Sequence, residues 1–407
     1  MLQPYVYGLR WHEKPSLLSW LIAGFAKLTG GVNEWSARLP TLLSVLITAL
    51  LVQAVTRRYA GPSASLFAAL ALIFCPLLLQ KLTVAEPDTL VMALSFGALV
   101  VWWSGVAAGR LTILHWIGAG LLLAALAMAK GPQPAAFFGL GVLIYLMIER
   151  RFRDLPGWVL SMIIPAAAVV TWGAAIYRPG DEASWVSYAR LNGWPPFYDY
   201  ITRCIHDIGS LYLELLPASL LILFIPWPWR RPNGAADIPP VVAPMLLYTC
   251  VCTAVLVWWP GFNTRYAMPI APSLAVLAGI AWKRLAPTRY AIMRRVATVI
   301  LCLLAVYQFV ISDPCRSGAG LLSAARHQHL LLRACAVALP RPASDGGARS
   351  AGLAVDAACG RCGIWQIAAR SRCADCEGRT DRASIGSRAH REEIKTRRQD
   401  PRVCAMR

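Results

Sequence analysis

Along this chain, apolar residues come in long blocks separated by short runs of Arg, Lys, Pro and Gly. The blocks predict transmembrane helices over 41–56, 63–80, 89–107, 112–129, 134–148, 158–176, 211–226, 241–259, 268–282 and 296–312. Each approaches the ~20 residues a helix needs to cross ~30 Å of hydrocarbon. Helices are required because lipid offers an unpaired backbone amide no partner. The expected fold is an all-α polytopic membrane protein with about ten helices, of which 134–148 is the shortest. Composition agrees. Hydrophobic residues make up 57% of 407, Trp occurs 16 times, and mean hydropathy is +0.51, more apolar surface than soluble cores can hide.

A net charge of +19 raises the possibility of nucleic-acid binding, but the placement of the charges argues against it. Arg57-Arg58, Arg110, Arg150-Arg151-Arg153, Arg230-Arg231, Lys283-Arg284 and Arg294-Arg295 all fall on one side of the predicted bundle. That is the positive-inside pattern, so this side is expected to be cytoplasmic and the basic residues to face membrane lipid, with no nucleic acid. Residues 1–40, 81–88, 130–133, 177–210 and 260–266 then face outward, into the periplasm of a bacterium. The longest of these, 177–210, holds Tyr188, Trp194-Pro195-Pro196 and Tyr198, and loops of that length commonly carry function or pack as a lid.

The outward polar groups are where chemistry is expected. Leu17, Leu18, Leu21, Ile22, Phe25 and Leu28 line one face of a segment, 16–28, too short to span and suited to lying along the interface. Asn33 is placed to cap the next helix, and Glu34 with Arg38 forms an i,i+4 pair. Lys14, beside Glu13 and Pro15, can meet a lipid-linked phosphate as a point charge.

This stretch resembles the first outer loop of the bacterial C-type membrane glycosyltransferases, the superfamily of the protein O-mannosyltransferases and the lipid A aminoarabinose transferases. The resemblance rests on Gly8, Glu13-Lys14-Pro15 (with Ser16 where the family has a second Pro), Trp20-Leu21 and Asn33-Glu34-Trp35-Ser36-Ala37-Arg38-Leu39-Pro40. Three shorter matches follow in order: Ala85-Glu86-Pro87-Asp88-Thr89-Leu90, Ala129-Lys130-Gly131-Pro132, and Asn263-Thr264-Arg265-Tyr266 with Pro269 and Pro272. Together they cover roughly 4–312 and agree with the topology read from the charges.

The resemblance implies a C-type helix bundle with periplasmic loops. It further implies an enzyme that passes a sugar from a polyprenyl-phosphate donor to a glycolipid (lipid A-like) or protein acceptor outside the bacterial cytoplasmic membrane, with no cofactor and no metal. Lys14, Arg265 and Tyr266 would hold the donor phosphate, Asp88 would serve the acceptor as the catalytic carboxylate, and Glu13 and Lys130 would support the site. One departure keeps other readings open. The family places its principal carboxylate in an Asp-Glu pair upstream of Glu-Lys-Pro, whereas Met1 to His12 contains no Asp or Glu. The alternatives are an enzyme whose leading segment precedes this chain, an inactive truncated member, or a polytopic transporter. A transporter would place charge at mid-membrane, where the predicted spans have almost none.

Three regions are expected: an interfacial loop over 1–40, a transmembrane domain over 41–312, and a tail over 313–407. The tail is rich in Arg and holds Cys315, Cys335, Cys359, Cys362, Cys373, Cys376 and Cys404. The Cys359/Cys362 and Cys373/Cys376 spacings suit a tetrahedral zinc, but an outward-facing tail favours disulfides. The loss of periodicity suits a disordered segment or a shifted reading frame better than either. His12, Glu13 and His206 share the outer side without forming a metal motif.

Overall fold

The structure, a computed structural model, describes residues 5–6, 9–10, 15–82, 84–179, 197–225, 238–258, 263–285 and 291–311. Glu13, Lys14, most of the long outer loop, and the whole Cys-containing tail, including its zinc and disulfide readings, lie outside the described residues.

Among the described residues the fold is a bundle of thirteen α-helices, with a two-residue antiparallel pairing of Tyr5–Val6 and Leu9–Arg10 ahead of it. The helices are α1 (Leu17–Leu28), α2 (Glu34–Ala60), α3 (Pro62–Ile73), α4 (Pro76–Leu79), α5 (Asp88–Ala107), α6 (Ile113–Lys130), α7 (Gln133–Ile148) and α8 (Leu155–Ile176). They continue as α9 (Phe197–Glu214), α10 (Ala218–Ile222), α11 (Val242–Trp258), α12 (Ile270–Leu285) and α13 (Ala291–Ile311). Four stretches, Glu34–Ala60, Asp88–Ala107, Ile113–Lys130 and Phe152–Ile176, are long and apolar enough to cross a membrane.

Local chemistry sets several boundaries. The first long helix starts at Glu34, ahead of the expected 41, because Asn33 and Ser36 cap it reciprocally: the Ser36 amide donates to Asn33 Oδ1 at 2.8 Å, and the Asn33 amide donates to Ser36 Oγ at 2.9 Å. Glu34 and Arg38 form the expected pair at 2.6 Å. The amphipathic segment 16–28 is α1, which buries Ile22 and Ala26. Two expected spans are broken by proline. The block 63–80 divides at Cys75-Pro76 into α3 and α4, and the block 211–226 divides around Leu216-Pro217 into the end of α9 and α10. Proline has no amide to give the preceding turn and disfavours helical backbone in the residue before it.

The axis of the bundle is α12. Every residue from Ile270 to Ala281 is buried, and the helix packs against α2, α3, α5, α10, α11 and α13. The outward faces stay apolar, as Leu46, Ile47 and Leu50 on α2 and Ile163 and Val170 on α8 show. Lipid solvates such faces as well as protein does, so helix association must come from close packing and interhelical hydrogen bonds. Thr249 and Ser273 join α11 to α12 at 2.9 Å, the Trp158 indole donates to the Gly139 carbonyl at 2.9 Å, and Tyr248 meets Ser95 on α5. Close packing is tight at Gly279, where a Cβ would stand 2.5 Å from Thr56 Cγ2 and 3.0 Å from the Ala64 carbonyl oxygen. Gly279→Val is therefore expected to destabilise the bundle by about 1–3 kcal/mol through overpacking. A lowered unfolding midpoint in detergent would show it, and an unchanged midpoint would mean that α2 and α3 can yield at this point.

The bundle has two chemically different ends. Trp103 donates to the Tyr59 hydroxyl at 3.1 Å, close to the basic residues Arg57, Arg58 and Lys283. The opposite end of α5, a helix rise of ~22 Å from Trp103, carries Asp88 and meets Lys130 and the turn before α12.

Candidate active site

Three connections deliver charged side chains to this second end. The segment 80–87 joins α4 to α5 and ends at Asp88, whose position in the first helical turn of α5 suits a carboxylate, since the amide ends of a helix point toward it. Lys130 closes α6, where carbonyl ends favour a cation. The next residue, Gly131, has φ +100°, a left-handed conformation that side chains resist, and α7 follows within two residues. The Lys-Gly-Pro sequence is thus a helix stop and sharp reversal that holds Lys130 in place. Finally, Asn263 caps a 3₁₀ turn, Thr264–Ala267, by accepting the Arg265 amide at 3.2 Å. That turn leads directly into the buried axis helix α12, so Arg265 and Tyr266 stand on a rigid support.

The side chains converge. Lys130 and Asp88 form an ion pair from which solvent is almost excluded, with the lysine side chain 11% and the aspartate 4% exposed. Lys130 Nζ also lies 4.3 Å from the centre of the Tyr266 ring, and the Arg265 guanidinium carbon lies 5.3 Å from it. One aromatic ring thus has two cations close by, both attracted to its π-face charge. Arg265 Nε is buried without a hydrogen-bond partner. Burial opposes the charge on Arg265, but Tyr266, Asp88 and Glu86 outweigh it and hold the guanidinium more firmly protonated.

Two further carboxylates complete the cluster. Glu86 pairs with Lys81 at 2.6 Å. Burial would raise the Glu86 carboxyl, but the Lys81 ammonium bonded to it prevails and the group lies below its ordinary value. Glu214, at the end of α9, is anchored by buried Leu211 and Leu215 on either side. The Thr264 hydroxyl and the positive charge of Lys81 stand near its carboxyl. Its Oε2 is buried and has no hydrogen-bond partner.

Of the residues singled out in the sequence, Asp88, Lys130, Arg265 and Tyr266 therefore meet in one place. Lys14 and Glu13 are outside the described residues. Among the described residues no group of His, Cys, Asp and Glu is arranged to hold a metal ion. Sequence reading passed over the Lys81–Glu86 pair and Glu214. The second had a usable signal, because Glu214 is a lone acid inside the apolar block 211–226, and ionisable residues in such blocks mark function.

Comparison with known proteins bears on the fold and on the chain's likeness to a family. Residues 13–173 match the family model of dolichyl-phosphate-mannose-protein mannosyltransferase. Two relatives are undecaprenyl phosphate-alpha-4-amino-4-deoxy-L-arabinose arabinosyl transferases. One, from Pseudomonas paraeruginosa, is 26% identical over 296 residues, covering 69% of this chain and 51% of the relative. The other, from Pseudomonas fluorescens, is 29% identical over 297 residues, covering 68% and 48%. The helical fold is similar to that of ArnT from Cupriavidus metallidurans in its crystal structure bound to undecaprenyl phosphate, with a TM-score of 0.57 and 19% identity, over 81% of this chain and 65% of that one. The chain is thus similar to membrane glycosyltransferases of this kind, in sequence over the matched residues and in helical fold. It spans about half the length of the curated relatives it matches. Its long apolar helices and this likeness make it an integral membrane protein.

Proposed function

We propose that this chain transfers a sugar from a polyprenyl-phosphate donor to a glycolipid or protein acceptor at the periplasmic face of the bacterial cytoplasmic membrane. One observation carries the reading: at the end of the bundle away from the basic clusters, Arg265, Tyr266 and the Asp88–Lys130 pair converge on a single polar site. The relatives are named for an undecaprenyl-phosphate-linked sugar, and the fold resembles a protein crystallised with undecaprenyl phosphate.

The chemistry asks for what is present. In transfer, an acceptor oxygen forms a bond to the anomeric carbon while the carbon–oxygen bond to the phosphate breaks. The electron pair leaves on the lipid phosphate. A fixed guanidinium is the side chain best suited to receive that charge, because it is planar and always protonated. Arg265 fills this role, with Lys14 as a second, point-like cation and Tyr266 as a hydroxyl donor. Asp88, held in place by Lys130, orients the acceptor group and takes up its proton. The lipid phosphate, a stable leaving group, needs little acid assistance.

Membranes containing the chain, given labelled undecaprenyl-phosphate sugars, should transfer label above membranes from cells with an empty vector. The purified chain should also retain undecaprenyl phosphate in preference to undecaprenol, which has the same tail without the charge. Equal retention of the two lipids together with no transfer would overturn the reading.

A further inference from the structure

The basic end of the bundle holds hydrogen-bond donors that no described group satisfies. Trp282, near the end of α12, stacks on Phe67 of α3 with ring centres 4.1 Å apart and planes 14° from parallel. The guanidinium carbon of Arg294, near the start of α13, lies 4.4 Å from the centre of the Trp282 ring. The Trp282 indole nitrogen and Arg294 Nε are both buried, and neither has a hydrogen-bond partner. Neither Arg294 nor its exposed neighbour Arg295 joins an ion pair among the described residues. The face of an indole attracts a guanidinium but accepts no hydrogen bond from it along the Nε–H direction in place of an oxygen. Two unsatisfied donors beside two uncompensated cations are costly to hold together. An anion with several acceptor oxygens would satisfy all four groups.

The surface of α13 indicates which anion this is. Arg295, Val299, Leu303 and Val306 recur at helical spacing on one exposed face. A cation at the helix end is therefore followed by an apolar stripe, the same order of charge and hydrocarbon as in a phospholipid. We propose that Arg294 and Trp282, with Arg295 at the edge, hold the phosphate of an anionic phospholipid whose acyl chain lies along Val299, Leu303 and Val306. The planar guanidinium of Arg294 suits two phosphate oxygens at once. The Trp282 N–H supplies a further donor after a side-chain shift of Arg294 opens the ring edge. Basic sites between helices at a membrane surface bind lipid head groups through the same forces. The site stands at the far end of α12 from Arg265, so it is separate from the proposed sugar-transfer site. Its role is to fasten α13 to α12, against which that helix packs.

The test compares labelled phosphatidylglycerol with labelled phosphatidylcholine of the same acyl chains, retained by the purified full chain in neutral detergent. Choline cancels the phosphate charge, so the ratio of the two reports recognition of a net anion. The wild type is expected to prefer phosphatidylglycerol by about 10-fold, the effect of a charge-assisted hydrogen bond. Arg294→Gln should bring the ratio close to one, and Arg294→Lys should keep part of it. Trp282→Phe, which keeps the ring stack and removes the N–H, should lower the ratio by about 3-fold. Arg110→Gln removes an exposed positive charge from the basic end outside the site and should leave the ratio unchanged. Equal losses in Arg110→Gln and Arg294→Gln would mean diffuse attraction to a basic surface and would overturn the site. A wild type without preference, or an unchanged ratio in Arg294→Gln, overturns it as well. If Arg294→Gln does not fold, an unchanged ratio in Trp282→Phe does so alone. Displacement of phosphatidylglycerol by inorganic phosphate as readily as by the unlabelled lipid would make this a free-phosphate site and overturn the lipid assignment.

Discussion

Sugar transfer by an Arg265→Ala variant is expected to fall by about 10²–10³-fold, the loss typical when one preorganised group facing a developing negative charge is removed. Arg265 sits in a turn capped by Asn263 and continued by the buried axis helix, so deleting its side chain should leave the fold intact. The defect should appear in turnover with every donor sugar, because the proposed partner of the guanidinium is the phosphate common to all of them. Arg265→Lys should restore only part of the rate, since a compact ammonium keeps the charge but cannot present two parallel donors to a phosphate. A rate within a few-fold of wild type for Arg265→Ala would remove the residue from the phosphate site and would leave Lys14 as the main candidate there.

Asp88→Asn is expected to damage the protein in two separable ways. The partner, Lys130, is almost fully enclosed, and removing one member of a buried ion pair typically costs about 3–5 kcal/mol. A large drop in the unfolding midpoint should follow. Adding Lys130→Met removes the stranded charge and replaces it with an apolar chain of similar length, so the double variant should regain much of the lost stability. Transfer should not return with it, because the carboxylate proposed to serve the acceptor is still missing. Recovery of transfer along with stability would show that Asp88 serves only to hold the ends of α5 and α6 together. The pair also explains why a lysine closes α6 just before the reversal at Gly131: a residue one position along would point elsewhere on the helix.

Legibility varied with the range of the interaction. The Asn33 cap, the Glu34–Arg38 pair and the amphipathic α1 are fixed by residues within one or two turns of each other, and each stands where it was expected. The breaks at Cys75-Pro76 and Leu216-Pro217 were also written locally, but hydropathy alone runs through them, because a window of apolar residues averages over a proline. Glu214 was lost for the same reason, as one acid in an otherwise apolar block. The site residues Asp88, Lys130, Arg265 and Tyr266 could be proposed individually from their motifs. That Lys130 would pair with Asp88 and also lie over Tyr266 could not.

The sequence by itself determined that this is a membrane-spanning helical bundle, and which connecting segments hold the basic residues and the charged motifs. Those properties follow from the solvent, since hydrocarbon admits only long apolar helices and the charge asymmetry of short loops sets their direction. Only the tertiary structure decided which charges neutralise one another. The physical reason is that most of these helices are apolar on every side, so their sequences do not mark the face that meets a neighbour. The pairing of Asp88 with Lys130, and the approach of Arg265 and Glu214 to the same end, emerge only when close packing around the buried helix Ile270–Leu285 brings the ends of separate helices together.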